Sequence, residues 1–244
     1  MRNAAVLRPL LAWSLALLAS FSALAASQPA GPFEQMQVYA SRATSSLLLY
    51  RGEGFQNDHL ERMNSDLAAL ATTLRGTAEA SDEVRQKHEV LVTELRRGAG
   101  FGHNEEDVPW GYTGELSKSL RDFLTAASKQ GSSDPEQLVP VQVEYLAVQY
   151  LFRAYIGAFE VAKEDTEHYL GQDERKLVPV IDGELGQLDA ANMAKINTRW
   201  QYLKVALSDL NSGTTAMVSS SGRPFAPTMV DRHARALTSQ LMTN

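Results

Sequence analysis

At 244 residues, with 23 Lys and Arg against 29 Asp and Glu, the chain carries a net charge of −6 and contains no Cys. The acidic balance excludes a nucleic-acid surface, which needs basic patches over phosphates; the adjacent pairs Arg96–Arg97 and Arg175–Lys176 are too short to supply one. Without Cys there is no disulfide, thiolate metal site or thiol nucleophile. The fold therefore rests on core burial, which a chain of this length can provide.

Arg2 and Arg8 flank the start of the apolar run LLAWSLALLASFSALA, which closes on Ala23-Leu24-Ala25 and leads into the polar, Pro-bearing SQPAGP. That order reads as an export signal over residues 1–25, with cleavage after Ala25 or Ala26. The competing reading is a retained anchor, because Leu10 to Ala26 approaches the length of a short membrane span. Removing residues 1–25 takes away two Arg and no acid, leaving 21 basic against 29 acidic residues and a net charge of −8 over residues 26–244. A disulfide-free exported chain of this kind points to a bacterial periplasm.

Beyond the leader, apolar residues recur at steps of three and four, the mark of amphipathic helices packed along a seam, as in coiled coils. A first stripe, Met36, Ala40, Ala43, Leu47 and Tyr50, follows Pro32 and stops at Gly52-Glu53-Gly54. A second carries Leu60, Met63, Leu67, Leu70 and Leu74 before Gly76. A third, capped by Ser81 with Asp82 and Glu83 at the positive end of the helix dipole, carries Val84, His88, Leu91 and Leu95. The fourth, Leu116, Leu120, Phe123 and Ala127, starts with Thr113 as its expected N-cap. GSSDPEQ then marks a turn near residues 131–137, where a division into two subdomains is the alternative to one domain. The next helix is the most aromatic, with Tyr145, Phe152, Tyr155 and Phe159 in register, and is expected to be central and to run to about Tyr169. Pro179 is expected to start, kink or split the helix that follows. Met193, Ile196, Trp200, Leu203, Leu207 and Leu210 make one more clear stripe, and Val230, His233 or Ala234, Leu237 and Leu241 a short last one. TTAMV, the single strand candidate, is too short to found a sheet. The sequence thus predicts an all-α fold, an antiparallel multi-helix bundle of seven or eight amphipathic helices over residues 26–244.

The stretch AGFGHNEEDVPWGYTGEL, residues 99–116, interrupts this regularity. Its Gly-rich connection from Gly98 to Gly114 is long for a bundle, and long loops are functional or disordered. Phe101, Val108, Trp110 and Tyr112 give it apolar area to bury, so it reads as an ordered loop anchored through Val108, Pro109 and Trp110. Two roles are open: Trp110 and Tyr112 plug the bundle end, or the loop offers an aromatic and acidic surface to a partner or ligand. The segment GFGHNEEDVPWG resembles the Gly-x-His-x-x-Glu signature of the imelysin family, exported all-helical bacterial proteins. Phe101 stands where that signature begins with Gly, and no function is taken from the likeness.

His103 and Glu106 form a His-x-x-Glu pair, but the five histidines lie in five separate segments and give no zinc signature, so no metal and no cofactor is expected. There is no Gly-x-Ser-x-Gly elbow and no phosphate loop. Arg42, Arg51, Arg153 and Arg199 lie on or beside apolar stripes, where they either snorkel or turn into a cleft for a carboxylate. The functional expectation is an exported periplasmic bundle acting without catalysis as a binding, sensory or accessory component of the envelope. The alternative is an all-helical enzyme or metal-binding protein using residues 99–116 or an arginine-lined cleft. Its expected contacts are Phe101, His103, Glu106, Trp110, Tyr112, Arg42, Arg153 and Arg199. They would face an envelope protein or a small anionic ligand, and a membrane only if the N-terminal segment is retained.

Overall fold

The computed structural model describes residues 30–157, 169–187, 190–208, 210 and 227–243. Among them are eight α-helices and no strand: α1 (Pro32–Gly52), α2 (Asn57–Gly76), α3 (Asp82–Gly100), α4 (Tyr112–Ser128), α5 (Pro135–Ile156), α6 (Glu174–Leu185), α7 (Ala190–Leu207) and α8 (Pro227–Thr243). A 3₁₀ turn, Glu105–Asp107, lies between α3 and α4. The N-terminal apolar run and TTAMV fall outside the described residues.

The ends of the helices follow from local chemistry. Pro32 and Pro135 occupy first turns, where the missing N–H is no loss. The side chains of Ser81, Asp134 and Asp173 accept hydrogen bonds from N–H groups at the starts of α3, α5 and α6. The aromatic helix α5 does not reach Tyr169: Gly157 turns left-handed at φ 85° and closes it with bonds to the Phe152 and Arg153 carbonyls. Nor does Pro179 split α6, which runs through it. The start of α4 is set by left-handed Gly111, φ 92°, rather than by Thr113, so the loop between α3 and α4 is residues 101–111.

Two helices form the centre. In α5 every residue from Val139 to Phe152 is buried, and in α1 fifteen of its residues are. α1 packs along α2 and α5 and also meets α3, α4 and α8; α5 packs on α8 and reaches α6 and α7. One hydrophobic cluster, with Trp200, Tyr145, Tyr150 and Phe123 as its bulkiest members, draws on all eight helices. The polar contacts report direction. Arg42 meets Thr238 and Ser239 while Ser46 meets Arg235, so α1 and α8 run antiparallel. Arg62 meets Asp231 while Asp66 meets Arg235, so α2 and α8 run parallel.

α1 is buried on all faces although it carries Gln37, Ser41, Arg42, Thr44, Ser45 and Ser46. A helix this polar sits in a core only where its groups find partners. Midway along it Arg42 and Ser46 do, while the Ser41 and Ser45 hydroxyls have no hydrogen-bond partner among the described residues. Arg42 donates to Glu144 at 2.7 Å and to Ser239 and the Arg235 carbonyl at 3.0 Å, while Thr238 donates to Glu144. Arg235 donates to Asp66 and Asp231, both at 2.8 Å, to Ser46 at 2.7 Å and to the Arg42 carbonyl at 2.6 Å. Arg62 extends the chain to Asp231 at 3.1 Å and to His59. Three arginines thus face three carboxylates. Burial opposes the charge of Arg235, yet Asp231, Asp66 and Glu144 outweigh it and hold its pKa above the usual value. Burial raises the Asp66 carboxyl despite Arg235 beside it.

Candidate functional site

The C-terminal end of α1 opens into a cleft under the 101–111 loop. Two left-handed residues follow the end of α1, Gly54 at φ 80° and Phe55 at φ 61°. Glycine adopts that backbone freely, whereas a bulky side chain pays in steric strain. Phe55 is held there by its neighbours: its N–H bonds to the Tyr50 carbonyl, and its ring meets Tyr50 edge-on at 5.3 Å and stacks on His103 at 3.9 Å. Strained backbone beside a cavity is a recurring property of binding sites.

Arg51, one residue before Gly52, fastens the loop to the helix. Its guanidinium donates to the carbonyls of Gly98 at 3.0 Å and Gly102 at 3.1 Å, and lies over the rings of Phe55 and Phe101. The loop is stiffened from within by a reciprocal cap, in which Asn104 and Asp107 each accept from the other's backbone. At its far end the Tyr112 hydroxyl donates to the Glu94 carbonyl at 2.9 Å, and burial drives its pKa well above the ordinary phenol value. Between loop and bundle lies a cavity of about 590 Å³ walled by Leu47, Leu48, Val108, Leu116 and Ile156. Arg51, His103, Glu105 and Tyr155 supply its polar rim, and the Tyr155 hydroxyl is bound to Glu53. A mostly apolar cavity of this size with few convergent polar groups fits a small molecule.

The structure separates the two aromatics that the sequence treats as one plug. Tyr112 is buried, edge-on to Phe101 at 4.8 Å, and Gly98 leaves the room for it: a Cβ there would stand 1.8 Å from the Tyr112 hydroxyl oxygen. Trp110, expected as an anchor, is wholly exposed. Gly111 turns the chain left-handed between them, sending one ring in and the other out. Glu106 is exposed, and His103 stacks on Phe55 instead of meeting it. Among the described residues no group of three or more His, Cys, Asp or Glu is placed to hold a metal ion.

The four flagged arginines do not gather in one cleft, and of them Arg51 lines this one. Arg42, read as snorkelling or anion-binding, is buried and neutralised by Glu144. Arg153 is exposed and donates to the Gly157 carbonyl at 2.8 Å, and Arg199 donates to Gln240 at 3.2 Å. Sequence reasoning missed Phe55, Tyr155 and Glu144. An aromatic directly after Gly-x-Gly, and a Glu inside the apolar run VQVEYLAV, were the available signals.

No protein-family model, curated protein or solved structure matches the chain. The functional reading therefore stands on site chemistry.

Proposed function

We propose that this is an exported, periplasmic helical-bundle protein that acts without catalysis as a binding component of the cell envelope, and that its ligand occupies the cleft beneath the 101–111 loop. The ligand class is a small amphiphile, an apolar body with an anionic head. The single observation that carries this is an apolar cavity of about 590 Å³ with Arg51 at its rim and no carboxylate paired to that guanidinium among the described residues. The apolar body lies on Leu47, Leu48, Leu116 and Ile156, and the head takes the N–H groups of Arg51 that the loop carbonyls leave over.

Titration calorimetry with octanoate and with octanol tests it. Octanoate binds saturably, octanol binds at least about tenfold more weakly, and Arg51→Met removes the difference between them. Equal binding of the two by the unaltered protein defeats the anionic-head reading.

A second reading rests on Trp110. A wholly exposed Trp beside Glu105, Glu106 and Asp107, on a loop stiffened by its own cap, suits a protein partner with a basic surface. Loss of an envelope partner in pull-down by Trp110→Ala, with octanoate binding intact, favours this use of the loop's outer face.

A further inference from the structure

The opposite end of α1 holds a second cavity, about 25 Å from the first at 1.5 Å per residue. It has a volume of about 400 Å³ and lies between the start of α1, the turn from α4 to α5, and α6. Glu34 lines it from the first turn of α1 and Gln142 from α5, with Leu138, Leu177 and Val180 as apolar wall and Tyr169 beside them.

Two of its polar groups, Glu34 and Gln142, are buried and incompletely partnered among the described residues. Glu34 is 2% exposed, and its Oε1 accepts from the Ser132 N–H at 2.6 Å. Among the described residues no Lys, Arg or His pairs with it. Lys129, the cation that lines the same cavity, is bound to Glu83 at 3.2 Å. The first turn of α1 favours a negative charge, but that partial charge on the backbone is no substitute for a full counter-ion around a buried carboxylate. Gln142 is 7% exposed and its Oε1 has no hydrogen-bond partner. Gln37, by contrast, is fully committed: it donates to the Phe33 carbonyl at 3.1 Å and accepts from Tyr169 at 2.7 Å.

The buried Glu34 carboxylate thus has no cation paired with it among the described residues, the one lysine that lines the cavity being held by Glu83. We infer that the cavity binds a small primary ammonium compound, the ammonium set between the Glu34 carboxylate and the Gln142 amide oxygen and the alkyl part against Leu138, Leu177 and Val180. The Tyr169 ring adds an aromatic face beside the cation. A divalent metal fits poorly, since one carboxylate and an apolar wall fall short of the six or more oxygens that Ca²⁺ or Mg²⁺ needs.

The test is titration calorimetry of the full chain with n-butylammonium chloride, tetramethylammonium chloride, n-butanol and calcium chloride at matched ionic strength. Butylammonium is expected to bind saturably, with Kd of about 1 mM or tighter, as five heavy atoms can support. Tetramethylammonium, which has charge but no N–H, and butanol, which has the tail but no charge, are each expected to bind at least about tenfold more weakly. Glu34→Gln is expected to weaken butylammonium by about tenfold or more, and Gln142→Leu to weaken it severalfold. No saturable binding of butylammonium, tetramethylammonium or butanol bound as well as butylammonium, calcium bound more tightly, or an unchanged affinity in Glu34→Gln overturns the inference. The comparison among probes uses the unaltered protein, so it decides even where a variant does not fold. Octanoate binding at the other end is independent of every one of these outcomes.

Discussion

Arg42 and Glu34 lie two turns apart on the same helix, both charged and both buried, and their surroundings differ in one respect. Arg42 meets Glu144, Thr238 and Ser239 from two other helices, and the chain of ion pairs continues through Arg235 to Asp66 and Asp231. Glu34 receives one backbone N–H and, among the described residues, no cation. The first arrangement sets each charge against an opposite one inside the protein, although the Glu144 Oε2 atom has no hydrogen-bond partner among the described residues. It locks α1, α2, α5 and α8 in register, a structural role. The second leaves a charge and an amide oxygen to be answered, which is what a ligand does. Burial of charge alone therefore does not mark a site, whereas burial of charge without a counter-charge makes one a candidate.

The largest expected effect breaks the closed side of this comparison. Arg42→Met leaves Glu144, which is wholly buried, without its cation, and should lower the unfolding free energy by about 3–5 kcal/mol in urea titration. Adding Glu144→Met should recover most of that loss, because the pair is replaced by apolar volume. A single variant losing under about 1 kcal/mol would show that the network is not what holds these helices in register.

Next comes the packing of the loop. Gly98→Ala drives a methyl into Tyr112 and Leu47, and should cost about 1–3 kcal/mol as an overpacked contact. Trp110→Ala, on the same loop but wholly exposed, should change the unfolding free energy by no more than about 0.5 kcal/mol. Equal losses in the two variants would put Trp110 back in the role of a plug.

The pH dependence sharpens the comparison further. His59, His88 and His233 are all held below 6.5, burial being the largest cause in each and Arg62 the second at His59. The fold thus favours the neutral rings, and the unfolded chain takes up protons first as pH falls below 6.5. Stability from these groups is complete above pH 6.5 and is lost as pH drops through the window between 6.5 and their lowered values. Asp66, raised above 3.8, acts in the opposite sense at the acid end. Urea titrations at pH 7.5 and pH 5.5 should show lower stability at pH 5.5, and His59→Gln should reduce that difference.

Much of the fold was legible because helical periodicity is a strong signal. The stripes of α2, α3, α4 and α7 place Leu70, Leu91, Leu120 and Trp200 in the core as the spacing predicts. α1 was half legible: Met36, Ala40 and Leu47 read correctly, but Arg42 read as snorkelling or as an anion-binding cleft residue, since one chain segment does not announce that it will be surrounded. Its partner residues Glu144, Arg235 and Thr238 come from far along the chain, and only the folded contacts bring them together. At the loop, composition gave order and aromatic burial but not which ring turns inward, because that choice belongs to the φ of Gly111 and to the space left by Gly98. The end of α5 was misjudged because the aromatic register continues past Gly157, whose left-handed turn overrides it.

On the proposed reading, the unanswered charges, and not the paired ones, are where this protein binds. An amide NMR titration with octanoate tests it most directly. Saturable shifts confined to residues around the cleft, Arg51, Phe55, His103 and Leu116, with Arg42, Glu144 and Arg235 unmoved, are what the account predicts. Shifts centred on the Arg42–Glu144 network, or none at the cleft, would contradict it.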